Sequence, residues 1–294
     1  MLNDLADNKY IVAVSGGVDS TLLLELMAET VAPGDQLIVA HFDHGIRSDS
    51  ASDEQFVAAL AKSKNLTYIS ERAELGANAS EAEARTARYD FLRRVKDQFS
   101  AKAIYTAHHK DDLLETIVMN LQRGTGRTGL DPMRSHTDIE RPLLYYTKQE
   151  LIDHAKQRGL TWRTDSTNAN PRYTRNRIRA SLANVHPYTT EKLYKLHTAA
   201  VERNNEINAL LKELATWVLK DGAINRARFV VLPYAVQKEF ILHWLQANNI
   251  KDISRPLVER VTHAVKTARP GSKQNLLLGK WLLIQKNVVK ILQK

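Results

Sequence analysis

Through the first part of the chain, apolar residues come in short runs that alternate with longer stretches of helical character. YIVAVS, 10 to 15, is a short apolar run ending in glycines, which predicts a buried strand. TLLLELMAE after it has the length and apolar density of a buried helix. QLIVAHFDH, 36 to 44, predicts a second strand, DEQFVAALAKSKN, 53 to 65, a helix, and LTYIS, 66 to 70, a third strand. SEAEARTARYDFLRRVKDQF, 80 to 99, predicts a long helix opened by a capping box, with Ser80 at the cap and Glu83 three residues on. AIYTAHH, 103 to 109, predicts a fourth strand that leads into a helix at DDLLETIVMNLQ, 111 to 122. This alternation predicts an α/β fold: a doubly wound, mostly parallel sheet with helices on both faces. Ligands bind such sheets beyond the carboxyl ends of the strands, where SGGVDS, HFDHG and HHKDD all fall.

After Arg179 the pattern changes. Residues 188 to 219, 233 to 248 and 255 to 268 predict helices, and QNLLLGKWLLIQKNVVKIL, broken by Gly-Lys and Lys-Asn, predicts a small meander. A smaller α+β domain is therefore expected over 186–294, following a catalytic domain over 1–185. The length of 294 residues suits two domains, and no internal repeat or low-complexity tract is evident.

Charge divides along the same line. Residues 1–155 carry 17 basic and 24 acidic residues, whereas 156–294 carry 25 basic and 9 acidic. A net −7 beside a net +16 implies a cation or metal site in one part and a polyanion grip in the other. There is no cysteine, which excludes thiolate metal sites, iron–sulfur clusters and cysteine nucleophiles. No apolar stretch is long enough for a membrane span and MLNDLADNKY lacks signal-peptide character, so a cytoplasmic protein without membrane contact is expected. The oligomeric state is not legible, and a homodimer stays open.

SGGVDS lies between a strand and a helix, so its backbone N–H groups can cradle phosphate. No Gly-Lys-Ser/Thr follows and G-x-G-x-x-G is absent, which excludes a Walker loop and a dinucleotide fingerprint. Ser15, Gly16, Gly17, Val18, Asp19 and Ser20 are the candidate ATP contacts, with Asp19 as a Mg²⁺ ligand. In HHKDDLLET, 108 to 116, helical spacing places His108, Asp112 and Glu115 on one face, and Leu114, Ile117, Val118 and Leu121 on the opposite one. Paired acids beside a phosphate site can hold Mg²⁺, recognise an ammonium group or take a proton from an attacking amine. Asp112, one turn nearer the strand end, is the better metal ligand of the two. PRYTRNRIR, 171 to 179, sets Arg172, Arg175, Arg177 and Arg179 around Tyr173, a pattern suited to phosphate pairing and base stacking in RNA.

SGGVDS resembles the pyrophosphate-loop signature of the N-type ATP pyrophosphatases, Rossmann-like enzymes that cleave ATP between its α- and β-phosphates and form adenylated intermediates. TAHHKDDLLETIVMNLQRGTGRTGL, 106 to 130, narrows the resemblance to the lysidine synthetase family. HFDHGIR, EAEARTARYDFL, RPLLYYTKQEL and DSTNANPRYTRNRIR are similar to further elements of that family, over about residues 9 to 180, and the basic domain over 186–294 more weakly resembles its tRNA-contacting domain, which implies that it contacts tRNA. The resemblance implies that Asp19 is a catalytic loop aspartate, that His108, Asp112 and Glu115 belong to the lysine and reaction centre, and that Arg88 lies near the nucleotide. It also implies that Arg175 and Arg177 form the family's RNR element, with Arg175 the better candidate for contact with ATP or the anticodon. Asp43 departs from the family pattern, which has Asn there. Read without the family, Arg85 and Arg88 are expected as ordinary helix partners of Glu81 and Glu83.

The implied reaction is an AMP-forming carbon–nitrogen ligation. The wobble cytidine of tRNA(Ile) with a CAU anticodon attacks ATP through O2, and the ε-amine of free L-lysine then displaces AMP to give lysidine. A tRNA thiolase or a glutamine-fed amidotransferase on the same fold needs cysteines that are absent. An ammonia-dependent synthetase leaves the basic half unexplained, and a catalytically idle RNA-binding protein has no physical need for clustered carboxylates.

Overall fold

Strand β1 (Lys9–Ala13) sits at the centre of the first sheet because its apolar residues are consecutive and can be covered on both faces. The computed structural model describes residues 8–32, 34–45, 50–76, 79–133, 138–164, 174–250, 253–276 and 279–293. They fall into two compact units, Met1–Thr198 and Ala199–Lys294.

In the first unit β1 is followed by α1 (Val18–Thr30), β2 (Gln36–Asp43), α2 (Ser50–Ser63), β3 (Thr67–Arg72), α3 (Glu81–Gln98), β4 (Ala103–Tyr105) and α4 (Lys110–Gln122). Then come β5 (Ile139–Glu140), α5 (Lys148–Gln157), α6 (Thr174–Ala183) and the start of α7 (Pro187–Val218). The sheet order is β3-β2-β1-β4-β5 and every pairing is parallel. Strand alternation sends Val12 and Val39 to one face, under α1, α2 and α5, and Ile11 and Ile38 to the other, under α3. The order reverses between β1 and β4, so the loops leaving these two strands border the crevice where such sheets take ligands.

The fourth strand is shorter than expected: residues 106 to 109 leave it as a loop, because His109 caps α4. His108 therefore precedes the helix and shares no helical face with Asp112 and Glu115. Glu115 is buried beside Leu114, while Leu121 is exposed. The capping box at Ser80 and Glu83 forms as expected. β5, α5 and α6 were not expected.

The second unit holds the rest of α7, β6 (Leu219–Lys220), β7 (Ala223–Asn225), α8 (Arg226–Val230), α9 (Tyr234–Ala247), α10 (Arg255–Thr267), β8 (Lys273–Asn275), β9 (Lys280–Ile284) and β10 (Val288–Gln293). Its antiparallel sheet has the order β6-β7-β10-β9-β8. The expected meander is β8–β9–β10, extended by a β6–β7 hairpin. That hairpin turns through Asp221 and Gly222, at φ of 53° and 75°, the positive angles a two-residue Asp-Gly turn requires. Helices cover one sheet face, where Phe229, Phe240, Trp244, Leu282, Ile284 and Val289 are buried together.

Candidate active site

The loop after β1 folds back on itself. Ser20 Oγ accepts from the Ser15 backbone N–H at 3.1 Å and donates to the Gly17 carbonyl at 3.1 Å. Gly16 has φ +90°, a region L side chains rarely adopt, so a glycine is required there. Gly17 caps α1 without a side chain, which keeps the approach to the first-turn amides open. Asp19 follows, and both its oxygens accept from Lys148 Nζ, at 2.8 and 2.7 Å. Lys148 is the first residue of α5, and its own N–H donates to Asp111 Oδ2 at 2.7 Å.

His109 lies within this acidic group. Its Nε2 is 3.4 Å from Asp112 Oδ2 and 3.9 Å from Asp19 Oδ2, and its Nδ1 is 3.5 Å from Asp111 Oδ2. Burial opposes its charge, yet Asp111, Asp112 and Asp19 together raise its pKa. His108 behaves oppositely: burial drives its pKa well down and nearby Arg88 adds to the effect, so the ring is neutral and shares a 2.9 Å hydrogen bond with Thr106 Oγ1.

Two arginines of α6 engage the acids of α4. Glu115, 1% exposed, accepts from Arg175 Nε at 2.7 Å and from Arg179 Nε at 2.6 Å. Asp112 accepts from Arg175 Nη2 at 3.0 Å and from the His109 backbone N–H at 3.1 Å. Burial alone would raise the Asp112 pKa, but His109 and Arg175 hold it below the ordinary value. Each acid of the pair thus faces a guanidinium. Among the described residues no group of three or more His, Asp or Glu side chains is arranged to hold a metal ion.

A cavity of about 520 Å³ is lined by Ser15, Asp19, Ser20, Arg88, His108, Asp112, Arg175 and Arg179, together with residues of β2 and α3. Glu115 lies behind this lining, and Arg177 Nη2 turns to Thr174 Oγ1 at 3.0 Å. Arg172 and Tyr173 lie outside the described residues. Arg85 and Arg88 do not pair with Glu81 and Glu83 as expected: both guanidiniums stand over the Tyr89 ring, 4.8 and 5.3 Å from its centroid, and Glu83 serves the Ser80 cap. Lys148 and His109 were missed as site residues. A signal existed for Lys148, because Thr147 and Glu150 form a capping box that predicts a helix starting at that lysine.

Asp43 lines the same cavity at the end of β2. One oxygen accepts from the Gly45 N–H at 2.9 Å and the other from Ser50 Oγ at 2.8 Å, with Arg72 3.5 Å away. Burial would raise its pKa, but these donors lower it.

The model of the PP-loop domain matches residues 1–186. This chain belongs to the PP-loop domain family. A tRNA(Ile)-lysidine synthase from Thermus thermophilus is 35% identical to this PP-loop chain over 261 residues, which are 83% of the chain and 50% of that protein. Another, from Bacillus subtilis, is 32% identical over 262 residues, 81% of the chain and 56% of that protein. The PP-loop chain thus spans about half the length of these relatives. Its fold is similar to that of a U34-tRNA thiolase from Methanococcus maripaludis, with a TM-score of 0.54 and 16% identity over 67% of this chain and 73% of the thiolase.

Proposed function

We propose that this PP-loop chain activates C2 of the wobble cytidine in a tRNA(Ile) with a CAU anticodon by adenylating its O2, and then joins free L-lysine to that carbon. The observation that carries the reading is the convergence of the SGGVDS loop, His108, Asp112 of α4 and the arginines of α6 on one cavity at the β1/β4 crevice, with Glu115 paired to those arginines behind it. In the first step cytidine O2 forms a bond to the α-phosphorus of ATP and the bond to pyrophosphate breaks. In the second the lysine ε-nitrogen bonds to C2, the C2–O bond breaks with AMP leaving, and the ammonium's surplus protons pass to a base.

The chain's own residues divide this work. The open N-terminus of α1 and the loop amides hold phosphate oxygens, and Lys148 adds an ammonium beside them. Asp19 already directs both oxygens at one cation, and a carboxylate of this kind together with substrate phosphates suits Mg²⁺. That ion would offset the charge developing on the leaving pyrophosphate. Asp112 suits it less, because its oxygens are taken by Arg175 and the His109 N–H. Asp112 and Glu115 offer negative charge to the lysine ammonium once phosphates of ATP or RNA draw Arg175 and Arg179 away. His108, held neutral by burial, is a weak proton acceptor and is suited to hydrogen-bond the amine rather than to deprotonate it.

The test is incubation with radiolabelled lysine, ATP and a set of single tRNA transcripts. Label is expected in the CAU-anticodon isoleucine tRNA alone, with one pyrophosphate released per lysine joined, and Asp19→Asn should nearly abolish that release. Absence of label from every transcript would overturn the reading.

A further inference from the structure

Among the described residues of the second unit, the helices cover one face of its sheet. Leu282, Ile284 and Val289 point into the helix-covered core, so their strand neighbours Trp281, Leu283 and Lys290 point the other way. Register aligns them across the strands: Lys290 is opposite Leu283, which is opposite Lys273, and Leu292 is opposite Trp281. Lys220 extends the same face through its pairing with Ala223, whose neighbour Ile224 is in the core. Trp281 is 38% exposed and Lys220, Lys273 and Lys290 are exposed, whereas none of Trp281, Leu283 and Leu292 packs with the core. Among the described strand residues on this face there is no Asp or Glu.

An apolar centre bearing an exposed indole, set among three lysines with no acid on the strands, has two binding components. Lysines pair with phosphates without regard to base sequence, and a flat aromatic ring takes an unpaired base by stacking. A protein partner would leave the three lysine charges unanswered unless it were acidic, and a paired helix keeps its bases inside, away from the indole. We infer that this open sheet face binds a single-stranded loop of the RNA substrate, with a base on Trp281 and phosphates on Lys220, Lys273 and Lys290. The inference rests on the RNA-modifying reading above and adds the surface that grips the loop.

The full chain is titrated by fluorescence anisotropy with a labelled RNA stem–loop carrying seven unpaired nucleotides, and with a blunt RNA duplex of equal length, over a range of salt. Trp281→Ala should weaken stem–loop binding about tenfold and leave duplex binding alone, with Trp281→Phe restoring most of the loss. The triple change Lys220→Gln, Lys273→Gln, Lys290→Gln should lower the slope of log affinity against log salt by about 2, at about 0.7 per phosphate on a single strand. Removing three lysines from helices instead, with Lys212→Gln, Lys238→Gln and Lys266→Gln, should change that slope much less. Equal effects of the two triple variants, or equal loss of loop and duplex binding in Trp281→Ala, would overturn the inference. Circular dichroism melts of each variant separate lost contacts from lost folding. Wild-type chain that releases pyrophosphate with tRNA while the face variants bind RNA normally refutes this inference alone. No tRNA-dependent release by the wild type refutes the functional reading instead.

Discussion

The two units place their polar groups in opposite ways. In the first, Asp43, His109, Glu115 and Arg141 are buried, and carboxylates of one helix meet cations of another, as Glu115 of α4 meets Arg175 and Arg179 of α6. In the second, the core around Phe229, Phe240 and Trp244 is almost wholly apolar, and Arg203–Glu206 and Arg255–Glu259 are short-range surface pairs. Buried charge in water-poor surroundings is electrostatically strong but expensive to leave unpaired, which suits the unit proposed above to handle charged reactants. The second unit keeps its charge in solvent, where it is open to the polyanion proposed above without burdening the core. The units should therefore fail for different reasons when altered.

The largest effect is expected from Phe240→Ala. Phe240 is fully buried, and removing its ring leaves a cavity that costs about 4 kcal/mol. Three of the four tryptophans, Trp217, Trp244 and Trp281, lie in the second unit, so intrinsic fluorescence should be dominated by its urea transition, which moves to lower concentration. A transition moved by less than a third of that amount would show that this core repacks, and the contrast between units would weaken. Next comes Glu115→Gln, which keeps volume but removes the charge that both arginines share. Breaking one side of a buried pair costs about 3 kcal/mol, at the lower end because Arg179 reaches solvent and Arg175 keeps Asp112. Far-ultraviolet circular dichroism during urea unfolding measures it.

A smaller effect, about 1 to 2 kcal/mol at pH 7, is expected for Asp43→Asn, because an amide keeps one acceptor oxygen where the acid offers two to Gly45 and Ser50. Its pH dependence follows from the direction of the shift. The folded pKa of Asp43 is below the ordinary 3.8, so its stabilisation is complete above the unfolded value and is lost as pH falls through the folded one. The gap between wild type and Asp43→Asn should stay constant from pH 8 to about 5 and close below about pH 3.8. A gap that instead widens with acid would contradict the charged-state assignment.

Most of the fold was legible because periodicity and caps are local. Val12 and Ile11 read as a buried strand from their neighbours alone, and Ser80 with Glu83 announced α3. The elements that escaped have weak local signals. β5 is two residues long, and α6 buries only Ile178 among its basic side chains, so no apolar stripe announces it. The β6–β7 hairpin is signalled by Asp221-Gly222, and α5 by its capping box. At the site, local spacing placed Asp112 and Glu115 on one helix. It could not show that Lys148, 129 residues from Asp19, closes on that carboxylate, or that His109 rather than His108 sits among the acids. Those are products of the topology, which brings the starts of α1, α4 and α5 to one end of the sheet.

The smallest effect is expected from Arg255→Ala, where a visible ion pair should contribute nothing measurable. Arg255 donates to Glu259 at 2.9 Å, but its side chain is 78% exposed, so water screens the attraction and ordering two long side chains offsets the rest. Its position is also unfavourable. Arg255 is the first residue of α10, where the helix dipole presents partial positive charge, and Arg ahead of Glu is the weaker orientation for a pair four residues apart. Removing the guanidinium should leave the fluorescence-detected urea midpoint unchanged or raise it slightly. The residue before it gives the control: Ser254 accepts from the Leu257 N–H, and Ser254→Ala should cost about 1 kcal/mol through loss of that cap. If Arg255→Ala lowered the midpoint as much as Ser254→Ala, exposed pairs would matter to this unit's stability. Its charge would then not be reserved for a ligand, and the contrast with the buried Glu115 cluster would fail.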